Sequence, residues 1–348
     1  MRRILRATVA TAVAAGLLSV WPAVAQADHG SVTRVTLASA RTVNPGALTL
    51  LVSRTVTLAA GESRHVKGRF EATSSMTSIA AMNNHVRCLD SGGAQVGVQG
   101  VTSRNHEGYD TTSYAIDGHL PLYADLLFTA PAAGTYTCGV YGYTASSASS
   151  SYHLTAVPGS TWLELSDTNQ AGSRWWQNPV CNSTGTSSTC SYIGAGTSTV
   201  HVFYNDGTPV YKWTAAPGAT AVQALANMTV TTCYLNTASC QRPSVAPYQK
   251  ARGTNAVIDA RLEVIQLDPT AHTCRNTATA TTRYTIRDDA HHYAAYFSLP
   301  RVTVDPTCGT RTFIMRIVVT HISGQPVKID GLQSTSALSH GIAMNLFS

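Results

Sequence analysis

Asp288, Asp289, Ala290, His291 and His292 set two carboxylates and two imidazoles in one short run. These are the residue types of a zinc centre or of general acid–base chemistry. On a strand, alternation sends Asp289 and His291 to one face and Asp288 and His292 to the other. Each face then offers two ligands where zinc takes three or four, so the run reads as a solvated charged loop. His106, Glu107 and Asp110 around Gly108 form a second polar loop of the same kind. Glycoside hydrolysis needs two carboxylates facing each other across a cleft. The glutamates are Glu62, Glu71, Glu107, Glu164 and Glu263, and sequence alone neither places a pair of them across a cleft nor excludes one. No His-Glu-x-x-His, no Gly-x-Ser-x-Gly and no phosphate-binding glycine pattern occurs. No catalytic residue, metal ligand or cofactor is therefore assigned.

Leu89-Asp90-Ser91-Gly92-Gly93-Ala94 contains an Asp-Ser-Gly-Gly core that resembles the nucleophile loop of trypsin-like proteases. That resemblance implies Ser91 as nucleophile, with a His and an Asp upstream. Here Leu89 replaces the preceding glycine and Ala94 the following proline. Only about 63 residues lie between the leader described below and Ser91, too few for a barrel carrying the other two groups. A β-turn accounts for the motif.

Large aromatics are the remaining candidates, because sugars stack on exposed rings. In Thr161-Trp162-Leu163-Glu164-Leu165-Ser166, alternation places Trp162 with Glu164 and Ser166, opposite Leu163 and Leu165. Trp162 is accordingly expected on the polar face. Trp175 and Trp176 follow a polar loop from Asp167 to Arg174, and as neighbours on a strand they point oppositely, so one of them is expected to be buried. Trp162, Trp175 and Trp176 are the expected ligand-binding residues, with packing at the edge of a core as the alternative use.

The N-terminus reads as a secretory signal peptide over residues 1–27. Arg2, Arg3 and Arg6 precede an apolar run from Ala7 to Val20, and Ala23-Val24-Ala25 and Ala25-Gln26-Ala27 offer overlapping cleavage sites. The run is short for a bilayer span, and no later stretch of 18 apolar residues occurs. A secreted, extracellular protein with no integral membrane segment is expected. Removing the three leader arginines leaves 21 basic against 18 acidic residues, a net charge of +3. No basic run appears, so no nucleic-acid partner is expected. Only 12% of the 348 residues are charged and 44% are apolar, which excludes a disordered chain or a coiled coil. The 20 Arg against 4 Lys, with abundant Ala, Thr, Ser and Gly, resemble the composition of secreted proteins from high-GC Gram-positive bacteria.

Eight cysteines after a leader imply disulfides. Sequential pairing is the simplest connectivity: Cys88–Cys138, Cys181–Cys190, Cys233–Cys240 and Cys274–Cys308. Chain entropy assigns ~2.5 kcal/mol to each short loop and ~4 kcal/mol to each long one. No Cys-x-x-Cys pair supports zinc.

The elements that must position all of these residues are strands. Thr, Val and Tyr are frequent, and short alternating runs are separated by Gly, Pro, Asn and Asp. Asp206-Gly207 predicts a hairpin joining Val200–Asn205 to Thr208–Trp213, with Trp213 on its apolar face. A second hairpin is expected between Arg54–Leu58 and Arg64–Phe70. Further strands are expected at Tyr114–Ile116, Asp125–Thr129, Tyr152–Val157, Val257–Leu267, Arg283–Arg287, Tyr293–Leu299 and Thr312–Ile322. Ala132-Ala133-Gly134-Thr135-Tyr136-Thr137-Cys138 resembles the tyrosine corner of immunoglobulin-like sandwiches, although no Trp lies between Cys88 and Cys138. The resemblance implies a β-sandwich.

The expected fold is all-β, with two disulfide-stabilised β-sandwich domains: 28–157, then 158–348 after the Ser-rich stretch 145–151. Arg242 to Asn255, rich in Pro, Gln and Gly, either subdivides the second half or loops across it. Two functional readings stand. One is a secreted non-catalytic binding or adhesion protein, with an extracellular glycan or a protein surface as partner. The other is a secreted hydrolase assembled from separated Asp, Glu and His residues. A protease inhibitor would need a rigid exposed loop, for which Tyr234-Leu235-Asn236-Thr237-Ala238-Ser239 is a candidate.

Overall fold

The computed structural model describes residues 31–74, 79–106, 119–145, 153–203 and 211–347. The expected signal peptide, Glu107, Asp110, the strand expected at 114–116 and the expected Asp206-Gly207 turn lie outside these residues. The chain is all-β, as its alternation predicts. The first half contributes β1 (Val32–Thr36), β2 (Arg41–Val43), β3 (Thr49–Leu58), β4 (Ser63–Thr73), β5 (Ala80–Leu89), β6 (Gln99–His106), β7 (Leu120–Thr129), β8 (Gly134–Ala145), β9 (Leu154–Ala156) and β10 (Trp162–Ser166). The second contributes β11 (Arg174–Gln177), β12 (Ser191–Ile193), β13 (Thr199–Val202), β14 (Lys212–Thr214), β15 (Ala221–Thr232), β16 (Ala256–Leu267), β17 (Thr273–Ala278) and β18 (Thr282–Ile286). It ends with β19 (His292–Thr303), β20 (Thr312–Gly324), β21 (Val327–Ile329), β22 (Leu332–Gln333), β23 (Ser336–Ala337) and β24 (His340–Leu346).

These strands make four sheets. In the first half, a sheet of β1, β10, β4, β9 and β2, with β7 on the far side of β4, faces a sheet of β3, β8, β5 and β6. Strict alternation along β5 sends Met82, Asn84, Val86 and Cys88 inward against Val66 and Phe70 of β4. Asn84 is the polar exception in this core, and its amide donates to the carbonyls of Gly68 and Leu122 on the opposite sheet. In the second half, a sheet centred on β15 faces one centred on β16 and β20, around Trp213, Met228, Ile258, Phe313 and Ile317. Trp213 lies in the core, as expected, although its strand β14 pairs with β20 and not with β13. β6 and β24 are buried along their whole length, because each lies between a sandwich core and the seam where the halves meet.

Three expectations about chain path are corrected, and one left open is decided. The sandwich boundary read at 157/158 falls inside the first sheet, since β10 lies beyond Pro158 and pairs with both β1 and β4. Leu163 and Leu165 bury β10 in the first core. β13 and β14, the described ends of the hairpin expected over Val200–Trp213, do not pair with each other: both run antiparallel to β20 along one edge, Val202 opposite Ile317 and Lys212 opposite Ile314. Nor do β3 and β4 pair with each other. β3 pairs with β8 and β4 with β7, and the Ala59–Glu62 turn, with Gly61 at φ 77°, carries the chain between the two sheets. Arg242–Asn255 loops across the second half and does not divide it: β15 before it and β19 after it are direct neighbours.

All four disulfides follow the sequential pairing. Cys88 and Cys138 sit directly opposite each other on β5 and β8, so this bond joins neighbours within one sheet and does not bridge the two. The tyrosine corner is present, with Tyr136 Oη donating to the Ala132 carbonyl at 2.7 Å.

Candidate functional site

Among the described residues β11 is an edge strand paired only with β24, Trp175 opposite Ile342 and Trp176 opposite Gly341. Adjacent residues on it point to opposite sides. Trp176 enters the second core, 3% exposed, edge-on to Trp213 at 6.4 Å, and its Nε1 donates to the Tyr211 carbonyl. Trp175 turns the other way. It packs against Leu225, Ile342 and Met344, near Leu127 and Tyr296, and its ring lies 5.9 Å from that of His340. Its Nε1 has no hydrogen-bond partner. Arg174, Trp175, Trp176, Gln177 and Tyr211 line a hollow of about 220 Å³ at this edge. An indole face and a phenol, flanked by a guanidinium and an amide, can stack on an apolar ring and hydrogen-bond its hydroxyls.

Trp162 corrects the expectation of an exposed platform. It does share a face with Glu164, but that face is not open to water and the side chain is only 8% exposed. β10 lies between β1 and β4, whose long cationic side chains cover the ring. The Arg34 guanidinium sits 4.4 Å over it, Lys67 lies 6.0 Å away, and Tyr123 meets it edge-on at 6.2 Å. Alternation fixes the side of the strand and says nothing of what lies above that side. The three tryptophans therefore do not form one surface, and only Trp175 is left partly open.

The acidic and imidazole candidates are occupied structurally. Asp288 is buried and accepts from Gly253 N, while Asp289 pairs with Arg287. His291 stacks on His292 at 4.2 Å, and His292 Nδ1 lies 3.0 Å from Thr231 Oγ1. Burial pushes His291 down to about 3 and His292 to about 4, each lowered further by the charge of Lys328. Among the described residues no group of three or more His, Cys, Asp or Glu could hold a metal. His106 is buried, with Nε2 at 3.2 Å from the Ala72 carbonyl. Asp90 closes the Ser-Gly-Gly turn by accepting from Gly92 N and Ala94 N, so the motif is a β-turn. Each described glutamate is tied to arginine: Glu62 to Arg64, Glu71 to Arg69, Glu164 to Arg34, and Glu263 to Arg261 and Arg316. In the Cys233–Cys240 loop Leu235 is 50% exposed, but Asn236 takes a φ of 65°, which kinks the loop out of an extended conformation.

The seam holds a network that no motif announced. Asp125, 1% exposed, accepts from His65 Nε2 at 2.8 Å and from Asn227 Nδ2 at 3.0 Å. Its backbone N–H donates to His340 Nε2 at 3.0 Å, and His340 Nδ1 lies 3.0 Å from the Ala337 carbonyl. A ring nitrogen that accepts carries no proton, so His340 is neutral with its hydrogen on Nδ1. Burial pushes it down to about 4, against the pull of Asp125. Burial opposes the charge on Asp125, yet its hydrogen bond with His65 and the charge of Lys67 hold the carboxyl below the usual range. Gly100 of β6 permits the close approach here, because a Cβ would lie 2.2 Å from the Asp125 carbonyl oxygen. The only signal in the sequence was the polar alternation of β4, with His65, Lys67 and Arg69 facing away from the core.

No family model matches the chain, and no curated protein matches it. Among solved structures, the VP2 subviral particle of infectious bursal disease virus is similar at 8% identity and a TM-score of 0.27. The match covers 92% of this chain and 42% of that one, so the chain spans less than half of the capsid protein's length. The CBM22 tandem of Paenibacillus barcinonensis Xyn10C is similar at 9% identity and a TM-score of 0.21, over 90% of this chain and 93% of that one. The major capsid protein P2 of bacteriophage PM2 gives 9% and 0.27, over 91% and 98%. Likenesses this loose carry no argument about ligand or activity.

Proposed function

We propose that the protein is a secreted, non-catalytic binding protein that takes a glycan at the Trp175 hollow. The observation that carries this reading is the placement of Trp175, Tyr211, Arg174 and Gln177 around one shallow hollow on an edge strand. Export is supported by the leader pattern and by four disulfides, which belong to oxidising compartments. Among the described residues no helix is long and apolar enough to cross a membrane. The hydrolase reading finds less support. A glycosidase acid needs a raised pKa, whereas every described carboxyl whose pKa is displaced is displaced downward: Glu62, Asp125, Asp167, Asp259, Glu263, Asp268, Asp289 and Asp305.

Stacking a sugar on Trp175 would remove roughly 30 Å² of apolar surface from water, both partners counted, about 0.8 kcal/mol. Trp175→Ala should therefore weaken retention on the cognate polysaccharide in affinity electrophoresis about fourfold, and Trp175→Phe should restore part of it. Circular dichroism controls for folding. Equal retention of folded Trp175→Ala and the parent chain would exclude this site.

A further inference from the structure

The outward face of the sheet of β3, β8, β5 and β6 carries a second constellation, remote in sequence from Trp175. Alternation along β5 sends Asn83, His85 and Arg87 outward. On β8, Tyr143 lies opposite Asn83 and Tyr141 opposite His85, and on β6 Ser103 lies opposite Asn83. Tyr143 and His85 meet edge-on at 6.3 Å, and the Arg87 guanidinium sits 4.1 Å over the Tyr141 ring. Asn83, His85, Arg87 and Tyr143 are half-buried, and Leu50 beside Tyr141 is exposed.

The protonation of His85 is set by its neighbours. Gln99 Nε2 donates to Ser336 Oγ at 2.9 Å, which turns Gln99 Oε1 toward His85 Nδ1 at 3.3 Å. An amide oxygen only accepts, so Nδ1 carries the hydrogen and Nε2 presents a lone pair. Burial pushes the imidazole down to about 4, which keeps it neutral. Neither His85 Nε2 nor Arg87 Nε has a hydrogen-bond partner, although both atoms are buried. Buried polar atoms are nearly always satisfied, and leaving one unsatisfied costs about 1–3 kcal/mol. Among the described residues Arg87 has no carboxylate partner, in contrast to Arg34, Arg54, Arg64, Arg69 and Arg283. The face thus offers one acceptor, one uncompensated cation and one half-buried ring. Two residues apart on a strand, His85 and Arg87 are separated by about 7 Å, the span of a hexose ring with its substituents.

We propose that this face binds an acidic saccharide, with Arg87 taking the uronate carboxylate, Tyr143 lying against the ring, and movement of the Tyr143 ring on binding uncovering the buried His85 Nε2 to accept a sugar hydroxyl. A neutral sugar would leave the guanidinium uncompensated, and a bare anion would leave Nε2 unpaired. The site is independent of the Trp175 hollow, so failure of one leaves the other standing.

The test uses the full secreted chain in affinity electrophoresis against polygalacturonate, with neutral galactan as control. Retention on polygalacturonate is expected to exceed that on galactan, to fall at least tenfold in Arg87→Gln and in His85→Phe, and to persist in Trp175→Ala. Galacturonate should also displace the His85 ring signals in the NMR spectrum of the unmutated chain, a readout that needs no variant to fold. Absence of retention on polygalacturonate, unchanged retention in folded Arg87→Gln, or His85 signals unmoved by galacturonate would each overturn the proposal.

Discussion

His340 makes the seam acid-sensitive, and the effect can be sized. In the unfolded chain a histidine takes its proton near pH 6.5. In the folded chain His340 takes it only near 4, because burial disfavours the charge and Nε2 already accepts from Asp125 N. Between those values the unfolded state holds more protons, so stability rises with pH and is lost as pH falls. The gap amounts to about 3 kcal/mol when fully expressed, of which about 2 kcal/mol develops between pH 7 and pH 5. His340→Gln keeps an acceptor for Asp125 N and removes the titration. Urea unfolding of both chains at pH 7 and pH 5 should show the parent losing about 2 kcal/mol more than the variant over that interval. His85, His291 and His292 are depressed for the same first cause, burial, and supply a slope common to both chains. Equal losses in parent and variant would refute the reading of His340 as a neutral acceptor.

Three further outcomes are expected. The exported protein should begin at Gln26 or Asp28 by N-terminal sequencing of the culture supernatant, and a first residue at Met1 would undo the export reading. Replacing Cys274 and Cys308 together by serine opens a 34-residue interval and should lower stability by about 4 kcal/mol in urea melts, whereas a change under about 1 kcal/mol would contradict the loop-entropy argument. Tyr136→Phe removes the single bond to the Ala132 carbonyl and should cost about 1 kcal/mol, with near-UV circular dichroism otherwise retained.

Strands were legible where burial alternates along a run. Val257–Leu267 is found as Ala256–Leu267 and Thr312–Ile322 as Thr312–Gly324. Partners were less legible, because a turn signal specifies a reversal and not what the returning strand meets. Ala60-Gly61 turns the chain as expected, but β4 lands in the facing sheet. The cysteines were readable because small separations leave little freedom to Cys181–Cys190 and Cys233–Cys240. The candidate site was legible only in part. Trp175 and Trp176 split across the strand as neighbours must, but Trp162 lost its water to Arg34, a residue 128 positions away whose strand pairs with its own. Asp125, Asn227 and His340 stand on three strands from both halves, so local pattern held no trace of their meeting.

β23 pairs in parallel with β6, Ser336 opposite Gln99, and the Gln99 side chain bonds Ser336 across 237 residues of sequence. A chain emerging N-terminus first must therefore wait for nearly its last segment before that sheet acquires its fifth and sixth strands, β23 and β22. Until then β6 presents unpaired peptide groups, a template for any neighbouring chain in the same state. The interval between synthesis of Gln99 and arrival of Ser336 is thus a window of vulnerability. A secretion route that keeps the polypeptide unfolded until export, or a chaperone that occupies the β6 edge, would close that window. Truncation upstream of Leu332 would leave it permanently open.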